Sequence, residues 1–186
     1  DGLLHCHSER QAVFIRDKLR SRLKACGLQL HPDKTKIVYC KDANRRGNYI
    51  NTQFVFLGYC FRGRLAKTKE GKYFCSFSPA VSNSASKAIR EKMKRWYITR
   101  WTSACLEDIS KRINRVIIGW WNYYSAFYPS EMKKVLMHLD LILEKWAVRK
   151  HKRFKRSKHK AKLWLASVRQ RAPTLLAHWR LMRQCE

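Results

Sequence analysis

Between Leu106 and Tyr128 the sequence places an apolar or aromatic residue at nearly every position that one face of an α-helix would present. At about 100° per residue, Leu106, Ile109, Ile113, Val116, Ile117, Trp120, Trp121, Tyr124, Phe127 and Tyr128 share one broad stripe. Lys111, Arg112, Arg115 and Asn122 fall on the other side. Such a stripe predicts a helix over about 104–128 that must be covered by other elements. The aromatic stretch GWWNYYSAFY raises a choice between rings that stack on nucleobases and rings that fill a core. Base-stacking rings belong on a polar, basic face or on a sheet surface. Here they continue an aliphatic stripe, which points to the core. Pro129 ends this helix, and Met132, Val135, Leu136, Leu139, Leu143 and Trp146 form a second stripe on a helix expected from Ser130 to about 149.

The charge is as one-sided as the helices are amphipathic. Lys and Arg number 41 against 13 Asp and Glu, a formal net charge of +28 in 186 residues. Hydrophobic residues make up 45% of the chain, too many for a disordered basic tail. A folded protein this basic is expected to sit on phosphate, and nucleic acid is the leading partner. The charge is densest in RKHKRFKRSKHKAK, residues 149–162, which holds nine Lys or Arg, and no acidic residue occurs between Lys145 and Cys185. Lys150 falls where the stripe of the preceding helix would continue, so the run is expected to leave the core and point into solvent. Candidate phosphate contacts within it are Arg149, Lys150, Lys152, Arg153, Lys155 and Arg156, followed by Lys158, Lys160 and Lys162. Lys111, Arg112 and Arg115 on the polar face of the aromatic helix are the other candidates. Contacts of this kind confer affinity rather than sequence choice.

Ahead of the helices the pattern is mixed. Asp1-Gly2 reads as a hairpin turn leading into a strand over 3–7. Ser8 and Gln11 then form a capping box for a helix carrying Ile15, Leu19, Leu23 and Cys26 and ending at Gly27. A short strand is expected at LQL and another after the turn in HPDKTKIVY. QFVFLGYCF reads as one strand over 53–61, and RLAKTKEGKYFCSF as two strands joined near Glu70-Gly71. After Pro79 the character becomes helical, with further helices over 85–97 and on either side of Pro173. The fold class is therefore α+β, divided near residue 80 into a mixed part, 1–80, and an all-helical part, 81–186.

Several chemistries are disfavoured. The cysteines at 6, 26, 40, 60, 75, 105 and 185 form no CxxC and suit reduced, mostly buried thiols of an intracellular protein. On a strand, His5 and His7 would point opposite to Cys6, so HCH is not a convincing metal site. Glu107-Asp108 suit the start of a helix better than acid–base chemistry. No apolar run reaches membrane-spanning length, so no membrane partner is expected. The chain begins on Asp1 rather than Met, which fits processing or a fragment of something longer.

Three motifs in order, DGLLHC at the start, GLQLHPDKTKIVYC at 27–40 and FVFLGYCF at 54–61, together with INRVIIGWWNYYSAF, resemble the C-terminal part of a group II intron-encoded reverse transcriptase/maturase. The resemblance covers the end of the palm and the thumb and maturase (domain X) region. It implies that Asp1 matches the last residue of the family's YADD hairpin, a ligand of catalytic Mg²⁺ in a complete polymerase. Lys34 would lie near the incoming nucleotide and assist proton donation, although from the residues alone it reads equally as a strand-entry lysine. Phe56, Leu57 and Gly58 would correspond to the primer grip; without the resemblance they are a buried strand with a glycine at a close backbone approach. Group II intron RNA, an RNA/DNA template–primer and the missing N-terminal half are the implied partners, and Mg²⁺ the implied cofactor of the complete enzyme. Most of the YADD site is absent from this sequence, so polymerase activity by the chain alone is not expected, nor is an endonuclease segment. The compartment implied is a bacterial cytoplasm or an organellar matrix. A generic basic RNA-binding protein with no intron link is the alternative.

Overall fold

The computed structural model describes residues 2–45, 47–155 and 157–183. Six α-helices and a three-stranded antiparallel sheet make an α+β chain, as the sequence pattern predicts. The chain divides into two compact units: residues 1–54 with 62–77, and residues 55–61 with 78–186. The sheet, of order β1-β2-β3, is built from β1 (Gln53–Phe56), β2 (Tyr59–Lys67) and β3 (Tyr73–Val81). The division passes along β2 and β3, at Arg62 and between Phe77 and Ser78.

The first unit contains α1 (Glu9–Ala25). Ser8 is the N-cap as the sequence predicts, its Oγ accepting from the Gln11 amide, but the return bond of the expected capping box shifts by one residue: Gln11 Oε1 accepts from the His7 amide at 2.8 Å. Gly27, at φ +72°, closes the helix, with the Leu28 amide reaching back to the Leu23 carbonyl at 2.8 Å. The apolar stripe of α1 is only partly covered, however, with Ile15 and Leu23 half-buried. No residue of α1 is buried, and Leu19 is exposed. Among the described residues of this unit no apolar side chain is buried at all.

Three expected strands are missing. Residues 3–7 and 28–30 carry no strand, and HPDKTKIVY forms a turn at 32–34 followed by irregular backbone. A strand exists only through a ladder of backbone pairs. In place of a ladder, this stretch shows isolated bonds, from the Tyr39 amide to the Asn51 carbonyl and from the Ala43 amide to the Cys75 carbonyl. The expected strand over 53–61 is two strands. Leu57 and Gly58 both take positive φ, +49° and +78°, and form a two-residue hairpin turn between β1 and β2. The expected junction near Glu70-Gly71 does join two strands, β2 and β3.

The second unit holds the core, which gathers α2 (Asn83–Arg95), α3 (Leu106–Tyr124), α4 (Pro129–Lys150), α5 (Lys158–Arg171) and α6 (Ala177–Arg183). Every residue of the expected α4 stripe is buried, joined by Ile142 and Ala147. In α3 the stripe is buried at Leu106, Ile109, Ile113, Ile117 and Trp121. Trp120 is half-buried, packed on the core and stacked on Trp96 with ring centroids 5.5 Å apart. The core reading of the tryptophans therefore holds. It fails for Phe127, which is 62% exposed. The helix ends at Tyr124, so Phe127 no longer follows helical periodicity.

Polar bonds hold α6 in place. Asn114 Nδ2 donates to the Leu175 carbonyl at 3.0 Å, while Asn114 Oδ1 accepts from the Ala177 amide at 2.9 Å. Asp140 Oδ1 accepts from His178 Nε2 and Trp179 Nε1, each at 2.9 Å. Burial pushes the Asp140 carboxyl up, but these two bonds and the neighbouring His178 and Arg169 leave it below the ordinary carboxylate value. Among the described residues no helix is long and apolar enough to cross a membrane.

Burial ranks the two tryptophans of α3. Trp121→Ala is expected to lower unfolding stability by about 3–5 kcal/mol, the usual cost of truncating a buried Trp, and Trp120→Ala by less. Denaturant unfolding measures both. Equal, negligible losses would remove these rings from the core.

Candidate nucleic-acid interface

The dense basic run is built into the fold rather than projecting from it. It begins in the last turn of α4, passes through the 3₁₀ turn Lys152–Phe154 and enters α5. Phe154 is buried and packs with His151 and Trp164, at centroid distances of 5.4 and 5.7 Å. Burial, with the charges of Arg153 and Lys150, holds the His151 imidazole below its ordinary value, so at neutral pH it serves this cluster as an aromatic ring. Phe154 thereby anchors the middle of the run, and its neighbours are left at the surface.

Lys150 corrects the sequence-based expectation. Its ammonium does not point into solvent. It donates to the Thr102 carbonyl at 3.0 Å and the Ala104 carbonyl at 2.8 Å, and lies 5.6 Å from the centre of the Trp146 ring. Trp146, buried itself, donates from Nε1 to the Trp101 carbonyl at 2.9 Å. These bonds tie the loop after the 3₁₀ turn Ile98–Arg100 to the C-terminal end of α4. A charge satisfied by two carbonyls is a structural group, so Lys150 leaves the set of free phosphate contacts.

The remaining candidates divide clearly. Arg149, Lys152, Arg153, Lys155, Lys158, Lys160 and Lys162 are exposed, as are Lys111, Arg112 and Arg115 on α3. Arg112 lies over the Trp101 ring at 4.9 Å, which links the basic face of α3 to the loop that Lys150 and Trp146 hold. Arg153 similarly covers Phe154 at 4.7 Å. Stacking of this kind limits the freedom of a guanidinium while leaving its donors available. The first turn of α5 has no acidic residue, although Lys158 and Lys160 stand there at the positive end of the helix dipole. That placement is unfavourable to an isolated helix and is relieved by an anion. Arg156 lies outside the described residues.

The palm-derived candidates fall in both units. Asp1 lies outside the described residues. Lys34 is exposed in the 32–34 turn of the first unit. Phe56, half-buried, and the exposed Leu57 meet Gly58 at the hairpin tip in the second unit. There the Leu57 carbonyl accepts from Tyr123 Oη at 2.9 Å, the Gly58 carbonyl accepts from the Ser82 amide at 2.9 Å, and Tyr59 Oη donates to the Tyr123 carbonyl. A Cβ added at Gly58 would stand 2.8 Å from Tyr124 Oη, so a side chain crowds this glycine, which sits in a hairpin turn rather than in the expected buried strand. Among the described residues no three or more His, Cys, Asp or Glu side chains gather as a metal site. Glu107-Asp108 open α3, with Asp108 accepting from the Cys105 amide at 3.0 Å.

Sequence reasoning missed Thr99, Arg100 and Thr102, which stand beside the basic run in space. A three-residue 3₁₀ turn is too short to leave a periodic signal, and Tyr97, at φ +51°, turns the chain there without a glycine to mark it.

Replacing Lys150 by Met keeps the aliphatic stem and removes the ammonium. The expected result is a stability loss of about 1.5–3 kcal/mol, as for hydrogen bonds to a charged group. Lys155→Gln should leave the melting temperature within experimental error. A Lys150→Met protein as stable as wild type would return Lys150 to the free cations.

Residues 73–164, from β3 through the first half of α5, match the family model described as group II intron, maturase-specific domain. Comparisons with curated proteins and with solved structures returned no match. The matched stretch takes in α3, α4 and the exposed cations of the basic run and of α3 described above. Residues 73–164 thus carry a group II intron maturase-specific domain, which supports a maturase role in intron splicing.

Proposed function

We propose that the chain binds group II intron RNA through the exposed cations of its helical unit and stabilises the folded intron for splicing. The observation that carries this reading is the contrast between Lys150 and its neighbours. One lysine of the run secures the scaffold, and Arg149, Lys152, Arg153 and Lys155 are thereby displayed on backbone that is already fixed. Preformed cations bind phosphate without the ordering cost that a disordered basic tail would bear. The maturase-specific domain favours intron RNA over an unrelated RNA as the partner.

In a complete reverse transcriptase the same face would hold the template–primer duplex, with Phe56, Leu57 and Gly58 at the primer grip. Asp1 would then contribute to holding Mg²⁺, which supplies Lewis-acid stabilisation of phosphoryl transfer. Lys34 would serve the incoming nucleotide, and an N-terminal half would provide the remaining carboxylates. Support for these roles is the resemblance of the short palm motifs.

The test is salt dependence. Affinity for intron RNA should fall steeply with salt, because each neutralised phosphate releases counterions. Replacing Lys155, Lys158, Lys160 and Lys162 together by Gln should weaken binding and flatten the slope of log K against log salt by about 1 for each lost phosphate contact. A slope identical to wild type would move the interface off this surface. Equal affinity for intron RNA and for an unrelated RNA of the same length would instead favour a generic basic RNA-binding protein.

A further inference from the structure

An open hollow of about 560 Å³ lies where the loop after α2 meets the end of α4. Its lining comprises Arg100, Arg149, Lys152 and Lys155 with the hydroxyl-bearing Thr99 and Thr102. Val148 supplies an apolar wall, and among the described residues no carboxylate lines the space. We propose that this hollow is a phosphate site that takes the sugar–phosphate backbone of RNA and fixes where the strand crosses the domain. The inference rests on the RNA-binding reading above and adds to it a place and three residues, Thr99, Arg100 and Thr102, that lie outside the basic run.

The chemistry follows from the lining. Four cations sharing one space repel one another, and an anion entering it turns that repulsion into attraction. Arginine guanidinium groups bond two oxygens of one phosphate in a planar fork, lysines follow as mobile point charges, and threonine hydroxyls donate to the remaining oxygens. Both walls stand in place beforehand. Trp146 and Lys150 bond to the carbonyls of Trp101, Thr102 and Ala104, which fixes the Thr102 wall against the helix that bears Arg149. Arg100 rests over the Tyr97 ring at 4.9 Å, which limits its sweep.

The shape favours a polymer over a free anion. Arg100, Thr102, Arg149, Lys152 and Lys155 are all exposed, and only Thr99 and Val148 are half-buried. A wide rim of cations over a shallow floor admits a strand that enters on one side and leaves on the other. Cations and hydroxyls of this kind suit phosphate and sugar oxygens, so the site is expected to anchor the backbone and to add affinity rather than sequence choice.

The test uses the full chain and a fluorescently labelled RNA hairpin, with anisotropy measured across a salt series. Arg100→Gln/Lys152→Gln is compared with Lys69→Gln/Lys72→Gln, which removes equal charge from exposed positions of the first unit. The hollow variant should flatten the log K against log salt slope by about 2, one for each phosphate-contacting residue, with the control clearly less affected. Thr102→Val should weaken binding without changing the slope. Should Arg100→Gln/Lys152→Gln melt early, Lys155→Gln alone replaces it, with an expected slope change of about 1. RNA binding that falls equally in the two double variants, or that survives in the hollow variant, overturns the site and leaves the general RNA reading standing. A wild-type chain that binds no RNA overturns that reading and this one together. A calorimetric titration with pyrophosphate separates the two phosphate sources. Binding of pyrophosphate that depends on Arg100, with RNA binding indifferent to it, would make the hollow a free-anion site and contradict the proposal.

Discussion

Trp146 sits 1% exposed in the core, and its indole N–H, which burial would otherwise leave without a partner, donates to the Trp101 carbonyl. An unsatisfied buried donor costs about 1–3 kcal/mol, so the loop bearing Trp101 cannot leave α4 cheaply. One turn further along, Lys150 repeats the arrangement with two more carbonyls of that loop. The side chain that completes the α4 core stripe thus also fixes the position of a surface loop. Scaffold and basic face are coupled through this junction, and the exposed cations on either side of it inherit its geometry.

The rest of the helical unit hangs on α4 in the same way. Its buried face, from Met132 to Ala147, receives α2, α3 and α5 along with both 3₁₀ turns. Polar bonds join α3 and α4 to the chain at α6. Asn114 secures the chain entering α6, and Asp140 secures His178 and Trp179 inside it. Hydrogen bonds of this kind in a core add direction to packing that apolar contacts alone leave loosely specified. The first unit is a contrast, because no residue of α1 is buried and Ile15 and Leu23 of its apolar stripe are only half-buried.

Helical periodicity made the second unit legible, since a stripe such as Met132 to Trp146 can be satisfied only by burial on one side. Caps were legible too: Ser8, Gln11 and Gly27 act through bonds that span four or five residues. Strands were harder, because a strand depends on a partner that no local pattern names, and residues 3–7 and 28–30 lack one. The hairpin at Leu57-Gly58 was hidden by a non-glycine residue at positive φ in an unbroken apolar run. At the candidate interface the charge of 149–162 was plain, but the capture of Lys150 by carbonyls forty-odd residues away was not. Nor was the approach of Arg100, which depends on how α4 meets a loop far from it in sequence. Charge composition marks a surface; only tertiary geometry separates its structural cations from its free ones.

The central claim is that group II intron RNA lies against the junction of the 98–104 loop with the end of α4. Amide hydrogen exchange of the full chain, with and without intron RNA at saturating concentration, addresses it most directly. Slowed exchange on RNA binding should concentrate in residues 98–104, 149–155 and 158–162. RNA that binds while leaving those amides unchanged, and slows exchange only elsewhere, would contradict the account.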